Sequence, residues 1–124
     1  MKKTVTVIVL VAMLLGVFSA VAYARYTYIE KVIASISISG GSATVSGTVN
    51  AFDPNTIKIN LVLERKPSGG SWSTYDSWND SKANVTRLSA SGNCAVPSGY
   101  TYRAKVTGTV NGENAIAYSS EVQY

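Results

Sequence analysis

The sequence has no histidine and a single cysteine, Cys94. Histidine is the side chain that most often acts as a general base near neutral pH, and it is also the commonest ligand of transition metals. One cysteine supports neither an intrachain disulfide nor a multi-thiolate metal site. We therefore expect a protein that is not an enzyme and that holds no metal and no cofactor.

Charge is also scarce, because charged residues make up only 15% of the chain. The formal net charge is +4, and Lys2 and Lys3 at the extreme N-terminus supply part of it. Nucleic-acid binding needs clustered lysine and arginine, and no such cluster stands out along the sequence. The composition therefore predicts no nucleic-acid partner. Its length, once a leader is removed, suits one small domain.

The N-terminus has the organisation of a secretory signal peptide. Met1-Lys2-Lys3 is basic, an uncharged run follows, and Ala22-Tyr23-Ala24 places small residues where a signal peptidase requires them. Cleavage after Ala22 is an alternative. A further alternative is an uncleaved membrane anchor, because the run is long enough to span a bilayer. We expect a signal helix over 1–24, secretion, and no membrane association after cleavage.

The rest of the chain is predicted to be all-β. Apolar or small residues alternate with polar ones over 43–51, 57–64 and 100–110, a period typical of half-buried antiparallel strands. Turn sequences separate these runs at short intervals, namely Gly40-Gly41, Asp53-Pro54-Asn55, Pro67–Gly70, Asp80-Ser81-Lys82, Pro97-Ser98-Gly99 and Asn111-Gly112. The pattern predicts a seven-stranded antiparallel sandwich over 32–124, preceded by an N-terminal arm over 25–31.

Residues 57–124 resemble a fibronectin type III domain, a member of the immunoglobulin-like sandwiches. Leu63–Trp72 is similar to that family's C strand and C–C′ turn, and Pro97–Arg103 is similar to the entry to its F strand. The resemblance implies that Tyr100 is the tyrosine whose hydroxyl bonds back to the backbone near the preceding turn. The family's B-strand tryptophan has no counterpart in 43–51, so Trp72 or Trp78 is expected to fill the core instead.

Aromatic residues supply the candidate ligand site. Trp72, Tyr75 and Trp78 lie within one short stretch, and on a regular strand the two tryptophans share a face that Tyr75 does not. If the tryptophans point outward, they form a platform for a sugar ring or a protein partner. If they point inward, they fill the core. Cys94 falls on the inward side of its strand with Leu88 and Val96, so we expect a structural role for it.

Acidic residues offer little catalytic potential. Asp76 and Asp80 flank Trp78, but four residues along a strand span about 13 Å, which is too far for either hydrolytic geometry of paired carboxylates. We interpret these residues as solvated charges.

The sequence thus predicts a secreted, non-catalytic extracellular interaction module, with an unidentified protein or glycan as its partner. The alternative is a structural subunit that forms homo-oligomers through its strand edges and the Arg25–Ile29 part of the arm. The leader and the Tyr-rich start also resemble small exported proteins of unknown function from Gram-positive bacteria.

Overall fold

The computed structural model describes residues 18–22 and 26–124, and this part of the chain is all-β, with no helix. Its strands are β1 (Phe18–Ala22), β2 (Ile29–Ser39), β3 (Ser42–Pro67), β4 (Ser73–Ala95), β5 (Tyr100–Val110), β6 (Glu113–Tyr118) and β7 (Val122–Gln123). They pair in the order β1-β2-β3-β5-β6, with β4 on β3 and β7 on β5. The all-β class expected from the period-two pattern is confirmed.

The leader differs from the expectation where the structure describes it. Phe18–Ala22 is not helical but forms β1, which pairs antiparallel with residues 32–36 of β2. The prediction of a helix is therefore wrong for these residues. The backbone of β2 offers them hydrogen-bond partners, and the hydropathy of the leader alone does not reveal such partners. Residues 1–17 and 23–25, including part of the proposed cleavage site, lie outside the described residues. No helix in the described ranges has the length and hydropathy to cross a membrane.

Strand β3 joins two runs that the sequence analysis predicts as separate strands. Its first half pairs with β2 and its second half with β5, while β4 follows it on the other side. The turn predicted at Asp53-Pro54-Asn55 is wrong, since the strand continues through these residues. The register against β4 shifts between Asn50 and Ile57. Pro54 is tolerated there because a proline removes no ladder hydrogen bond where pairing is already interrupted.

Strand β4 bends alongside β3. The turn predicted at Asp80-Ser81-Lys82 is also absent, since these residues pair with Ile57–Ile59. Asn84 has a φ of 58°, which is unusual for a residue other than glycine. Asparagine tolerates this left-handed conformation better than most residues do, and it lets the strand turn while the pairing resumes at Val85.

Two tight hairpins agree with their sequence signals. Gly40 and Gly41 have φ values of 60° and 76°, and Asn111 and Gly112 have values of 50° and 81°. Two-residue turns that fit the twist of a hairpin need positive φ at both central positions. These residue types therefore fix the β2–β3 and β5–β6 connections.

The buried residues form one core, to which the two halves of β3 both contribute. Its members include Val32, Ile36, Val45, Val49, Ile57, Ile59, Leu61, Leu63, Tyr102 and Val106. Gly47 and Gly108 allow the facing strands to approach. A β-carbon at residue 47 would lie 3.1 Å from Cγ1 of Val106, and one at residue 108 would lie 2.8 Å from Cγ2 of Val49. The inward faces of the two halves of β3 and their partners therefore pack directly against each other.

The N-terminal arm is held by a carboxylate of the β5–β6 hairpin. The backbone N–H groups of Thr27, Tyr28 and Ile29 each donate to the side chain of Glu113 at 2.8 Å. Ile29 is fully buried and already belongs to β2, so the folded strand begins inside the segment predicted as an arm. Partial burial raises the pKa of Glu113, but the three backbone donors outweigh this effect and leave the pKa below its ordinary value.

Candidate functional site

Trp72, Tyr75 and Trp78 do not form one platform. Trp72 precedes β4, and the guanidinium carbon of Arg103 lies 4.0 Å from its ring centroid. Trp78 instead packs against the core. Pairing with β3 skips Tyr75, because Asp76 faces Leu63 while Thr74 faces Glu64. This bulge changes the alternation by one residue, so the expectation that the two tryptophans share a face is wrong.

Tyr75 is 36% exposed, and its ring lies against other aromatic rings at one end of the core. Its ring meets that of Tyr102 edge to face, with centroids 6.4 Å apart. Its hydroxyl donates to the carbonyl of Ala95 at 3.2 Å. The guanidinium carbon of Arg65 lies 4.4 Å from the Tyr75 centroid and 4.1 Å from that of Tyr100. Both polar and ring contacts of Tyr75 are thus within the molecule, which is typical of a structural residue.

The hydrogen bond expected of Tyr100 is made by Tyr102. The Tyr102 side chain is completely buried, and its hydroxyl donates to the carbonyl of Pro97. Tyr100 is only three residues from Pro97, and its half-buried ring lies against Tyr102 and Arg65 instead. The prediction for Tyr100 is corrected accordingly. Burial raises the pKa of the Tyr102 hydroxyl, against the opposing influence of Arg65.

Cys94 is half-buried and packs against the core. Burial raises the pKa of its thiol, and the negative charge of Asp76 adds to the effect. Since the thiolate is the nucleophilic form, both influences make this cysteine less reactive. Its surroundings suit the structural role predicted for it.

The predicted carboxylate pair remains apart. Asp76 and Asp80 face Leu63 and Ile59 along β3, and each accepts the backbone N–H of the following serine at 2.8 Å. Within residues 18–22 and 26–124, no group of three or more histidine, cysteine, aspartate or glutamate side chains is placed to hold a metal ion.

The strongest candidate surface lies on the outward side of residues 57–67 of β3 and their neighbours. Its side chains form rows that cross four strands, in the order β4, β3, β5, β6. The rows are Ser81, Lys58, Thr109 and Asn114; then Asn79, Asn60, Thr107 and Ile116; then Ser77, Val62, Lys105 and Tyr118; with Thr74, Glu64 and Arg103 below them. We call this surface the basic face, after Lys58, Lys66, Arg103 and Lys105.

One end of the basic face is polar. Asn60 and Asn79 form a side-chain hydrogen bond of 2.7 Å, and Thr109 donates to Asn114 at 2.6 Å. An open depression lies here, lined by Lys58, Ile59, Asn60, Asn79, Asp80, Ser81, Thr107 and Thr109. Amide, hydroxyl and ammonium groups are therefore presented together in one depression, beside the carboxylate of Asp80.

The other end of the basic face is aromatic and cationic. Arg103 donates through Nε to Glu64 at 2.8 Å. Its guanidinium carbon lies 4.0 Å from the Trp72 centroid and 4.3 Å from that of Tyr118, and Lys66 also approaches Trp72, at 5.0 Å. Tyr118 is 40% exposed. These contacts fix Arg103 between charged and aromatic neighbours while part of Tyr118 stays open to solvent.

The opposite outward surface, on β2 and the first half of β3, is different. Its hydroxyl and amide groups bond one another: Ser35 with Ser46, Thr48 with Ser89 at 2.9 Å, and Asn93 with Thr44 at 2.9 Å. We call it the serine–threonine face. Polar groups of the basic face are paired in the same way, so what distinguishes the basic face is the aromatic rings and cations beside its polar groups.

Of the predicted ligand residues, only Trp72 borders the basic face. Tyr118, Arg103, Asn60 and Asn79 are the residues that sequence analysis missed. The alternation in 57–64 and 100–110 already places Asn60 and Arg103 on the polar sides of their strands. Which strands lie side by side is the missing information, because no residue spacing reveals it.

No protein-family model matches the chain, and no curated protein matches it in sequence. The chain's own residues must therefore carry any functional assignment.

Proposed function

We propose that the protein is an exported, non-catalytic interaction module that binds carbohydrate through the basic face. The single observation that carries this proposal is that one surface presents Tyr118 and Trp72, which both contact Arg103, and the amide and hydroxyl groups of Asn60, Asn79 and Thr107. Aromatic rings stack on the apolar faces of sugars, and amides and hydroxyl groups bond to sugar hydroxyl groups.

The proposal includes an immunoglobulin-like sandwich of the fibronectin type III kind as the scaffold. Support comes from β3, whose first half pairs with β2 and whose second half pairs with β5. The contacts of Gly47 with Val106 and of Gly108 with Val49 bring the inward sides of these two groups together. In this scheme β3 supplies two consecutive strands, one in each layer, and β4 does the same.

The proposal is tested by binding to a panel of soluble polysaccharides, measured by affinity electrophoresis. Tyr118→Ala and Trp72→Ala should each weaken the binding of a retained glycan by about tenfold, the loss expected for a stacking contact worth about 1.4 kcal/mol. Phe52→Ala is the matched control, because Phe52 is also an exposed aromatic residue, at 55%, but lies beyond the serine–threonine face. Equal losses in all three variants, or no retained glycan, would contradict the proposal.

A second candidate function is self-assembly through the edge of β2. The pairing of β1 with residues 32–36 demonstrates that this edge accepts an antiparallel strand. Removal of the leader would remove β1 and open the same edge to a strand of another copy. Light scattering of the processed chain after size-exclusion chromatography should then give a dimer or larger species, and Ile33→Lys on that edge should return it to a monomer. A monomeric processed chain would exclude this function.

A further inference from the structure

The basic face carries a group of four cations. Lys58, Arg103 and Lys105 lie in its rows with Glu64, and Lys66 lies beyond them. Among the described residues, Asp80 also lines the depression beside Lys58, and Glu121 lines another beside Lys66. The chain as a whole has a formal net charge of only +4, and two of its positive charges lie at positions 2 and 3. The cations still outnumber the carboxylates, so this face attracts an anionic ligand more strongly than a neutral sugar polymer.

Arg103 is already paired with the carboxylate of Glu64, and 20% of its side chain remains exposed to a ligand. Its Nε donates to Glu64 at 2.8 Å, and both Trp72 and Tyr118 contact the guanidinium. These contacts hold the side chain in place, so little conformational entropy is lost when it binds. Within the part of the chain that the structure describes, Glu64 bonds only the Nε group. The two Nη groups are the donors that form the usual fork with a carboxylate.

The same surface is suited to sugar rings. Tyr118 is exposed directly beside Lys105 in the register, and Thr107 and Asn60 lie one row further along. A cation next to a stacking ring is the combination needed where a carboxylate is attached to a sugar. A phosphate polymer without sugar rings would pair with the cations but would have no ring to stack on Tyr118.

The face is long enough for a polymer. Lys58 and Lys66 lie eight residues apart on β3, and a strand rises about 3.3 Å per residue, so their separation is about 26 Å. Several sugar units can lie along this distance and contact cations at both ends. A polymer should therefore bind more tightly than its isolated monosaccharide.

We infer that the basic face binds a uronate-bearing polysaccharide. This inference rests on the proposed function and specifies its ligand class. The carboxylates of the polymer pair with Arg103 and the three lysines, while its rings stack on Tyr118 and its hydroxyl groups bond to Asn60, Asn79 and Thr107.

The experiment compares two polymers of the same backbone, one with carboxylates and one with methyl esters in their place. Polygalacturonate and its methyl ester have the same backbone, but the ester has no carboxylates. Affinity electrophoresis of the full chain should show at least tenfold weaker binding to the ester, and binding to polygalacturonate should fall further as salt is added. Equal binding to the two polymers, with loss of both on Tyr118→Ala, would overturn the inference and leave the proposed function intact. Failure to bind any polysaccharide would overturn both.

Matched charge variants locate the site. Lys58→Gln with Lys105→Gln should weaken polygalacturonate binding by about tenfold or more, since each change removes a charge-assisted contact. Lys31→Gln with Arg87→Gln removes the same charge from the serine–threonine face and should change binding less than twofold. Equal losses in the two double variants would mean that the net charge, and not the basic face, causes the binding. Thermal melts of all variants confirm that they are folded.

A third polymer distinguishes carboxylates from phosphates. Poly(glycerol phosphate) is anionic but has no sugar ring in its backbone. We expect it to bind more weakly than polygalacturonate and to be insensitive to Tyr118→Ala. Tighter binding of poly(glycerol phosphate) than of polygalacturonate would overturn the assignment of a uronate ligand.

Discussion

The indole ring of Trp78 lies directly over Gly92, where a β-carbon would overlap the ring. Trp78 belongs to the first part of β4 and faces Leu61, while Gly92 belongs to the second part and faces Val45. Trp78 and Gly92 therefore contact each other across the core, at the edge of the core that β4 covers. This contact explains how a chain with small residues over 43–51 still fills its interior, as the sequence analysis expects of Trp72 or Trp78.

A double-mutant cycle tests this contact. Gly92→Ala should destabilise the protein by about 1–3 kcal/mol, because the new methyl group forces the indole to move. In a Trp78→Ala background the same change should cost much less, since the ring is gone. The coupling energy should lie within about 0.5–3 kcal/mol, measured by urea denaturation.

The matched control for Gly92→Ala is Ser91→Ala, one residue earlier and exposed on the serine–threonine face. Its cost should be within about 0.5 kcal/mol in both backgrounds. Additive effects of Trp78→Ala and Gly92→Ala would mean that the two residues do not touch in solution.

Tyr102 and Tyr100 should respond differently to loss of the hydroxyl group. Tyr102→Phe removes the hydrogen bond to Pro97 from a fully buried site and should cost about 1 kcal/mol. Tyr100→Phe keeps the ring that contacts Arg65 and should be nearly neutral. In a domain of this size, about 1 kcal/mol lowers the melting temperature by about 4–8 °C. A larger loss in Tyr100→Phe than in Tyr102→Phe would restore the role predicted from the resemblance.

The fold is predictable from sequence where a residue's conformation depends on its neighbours along the chain. Period two identifies the inward side of β5 from Tyr102 to Val110, and two consecutive positive φ values are expected of Asn111-Gly112. The turn at Asp53-Pro54-Asn55 is wrong because a break in pairing register and a chain reversal use the same residue types. The pairing partners distinguish the two outcomes: Asn50 and Ile57, on either side of this point, both pair with β4, whose residues are distant in sequence.

The candidate site is less predictable than the fold. Tyr118, Lys105 and Val62 lie in one row because β6, β5 and β3 are neighbours in register. Each residue taken alone is an ordinary outward side chain of a strand. Trp72 and Trp78 draw attention because they are large and close in sequence, but a single bulge at Tyr75 sends them to different sides. The residues that meet on a surface of several strands depend on the order of those strands in the sheet. The alternation pattern does not predict this order.

Gly108 should not tolerate a side chain. A β-carbon there would lie 2.8 Å and 2.9 Å from the two methyl groups of Val49, so Gly108→Ala should destabilise the protein by about 1–3 kcal/mol. Adding Val49→Ala makes room for the new methyl group, and the double variant should be more stable than the sum of the two single losses predicts. Thermal melts measure all three. A Gly108→Ala variant as stable as the parent would show that the facing strands are further apart than this contact requires.

Glu113 should make the stability depend on pH in the acid range. Its pKa is below the ordinary value of 4.5 in the folded protein, because the N–H groups of Thr27, Tyr28 and Ile29 stabilise the carboxylate. The unfolded chain therefore binds the proton more readily. The stabilisation is fully present above the unfolded pKa and is lost as the pH falls through the folded pKa. Urea denaturation at a series of pH values from about 6 down to 2 measures this loss.

Glu113→Gln should flatten this acid dependence, because the amide has no carboxylate to protonate and keeps only one acceptor oxygen for three donors. The variant should also be less stable than the parent near pH 6 and should differ from it least at the acid end. Glu121→Gln is the control, since Glu121 is an exposed carboxyl to which no backbone N–H donates among the described residues. An equal flattening in both variants would mean that general charge repulsion, and not the link between the arm and the β5–β6 hairpin, governs stability in acid.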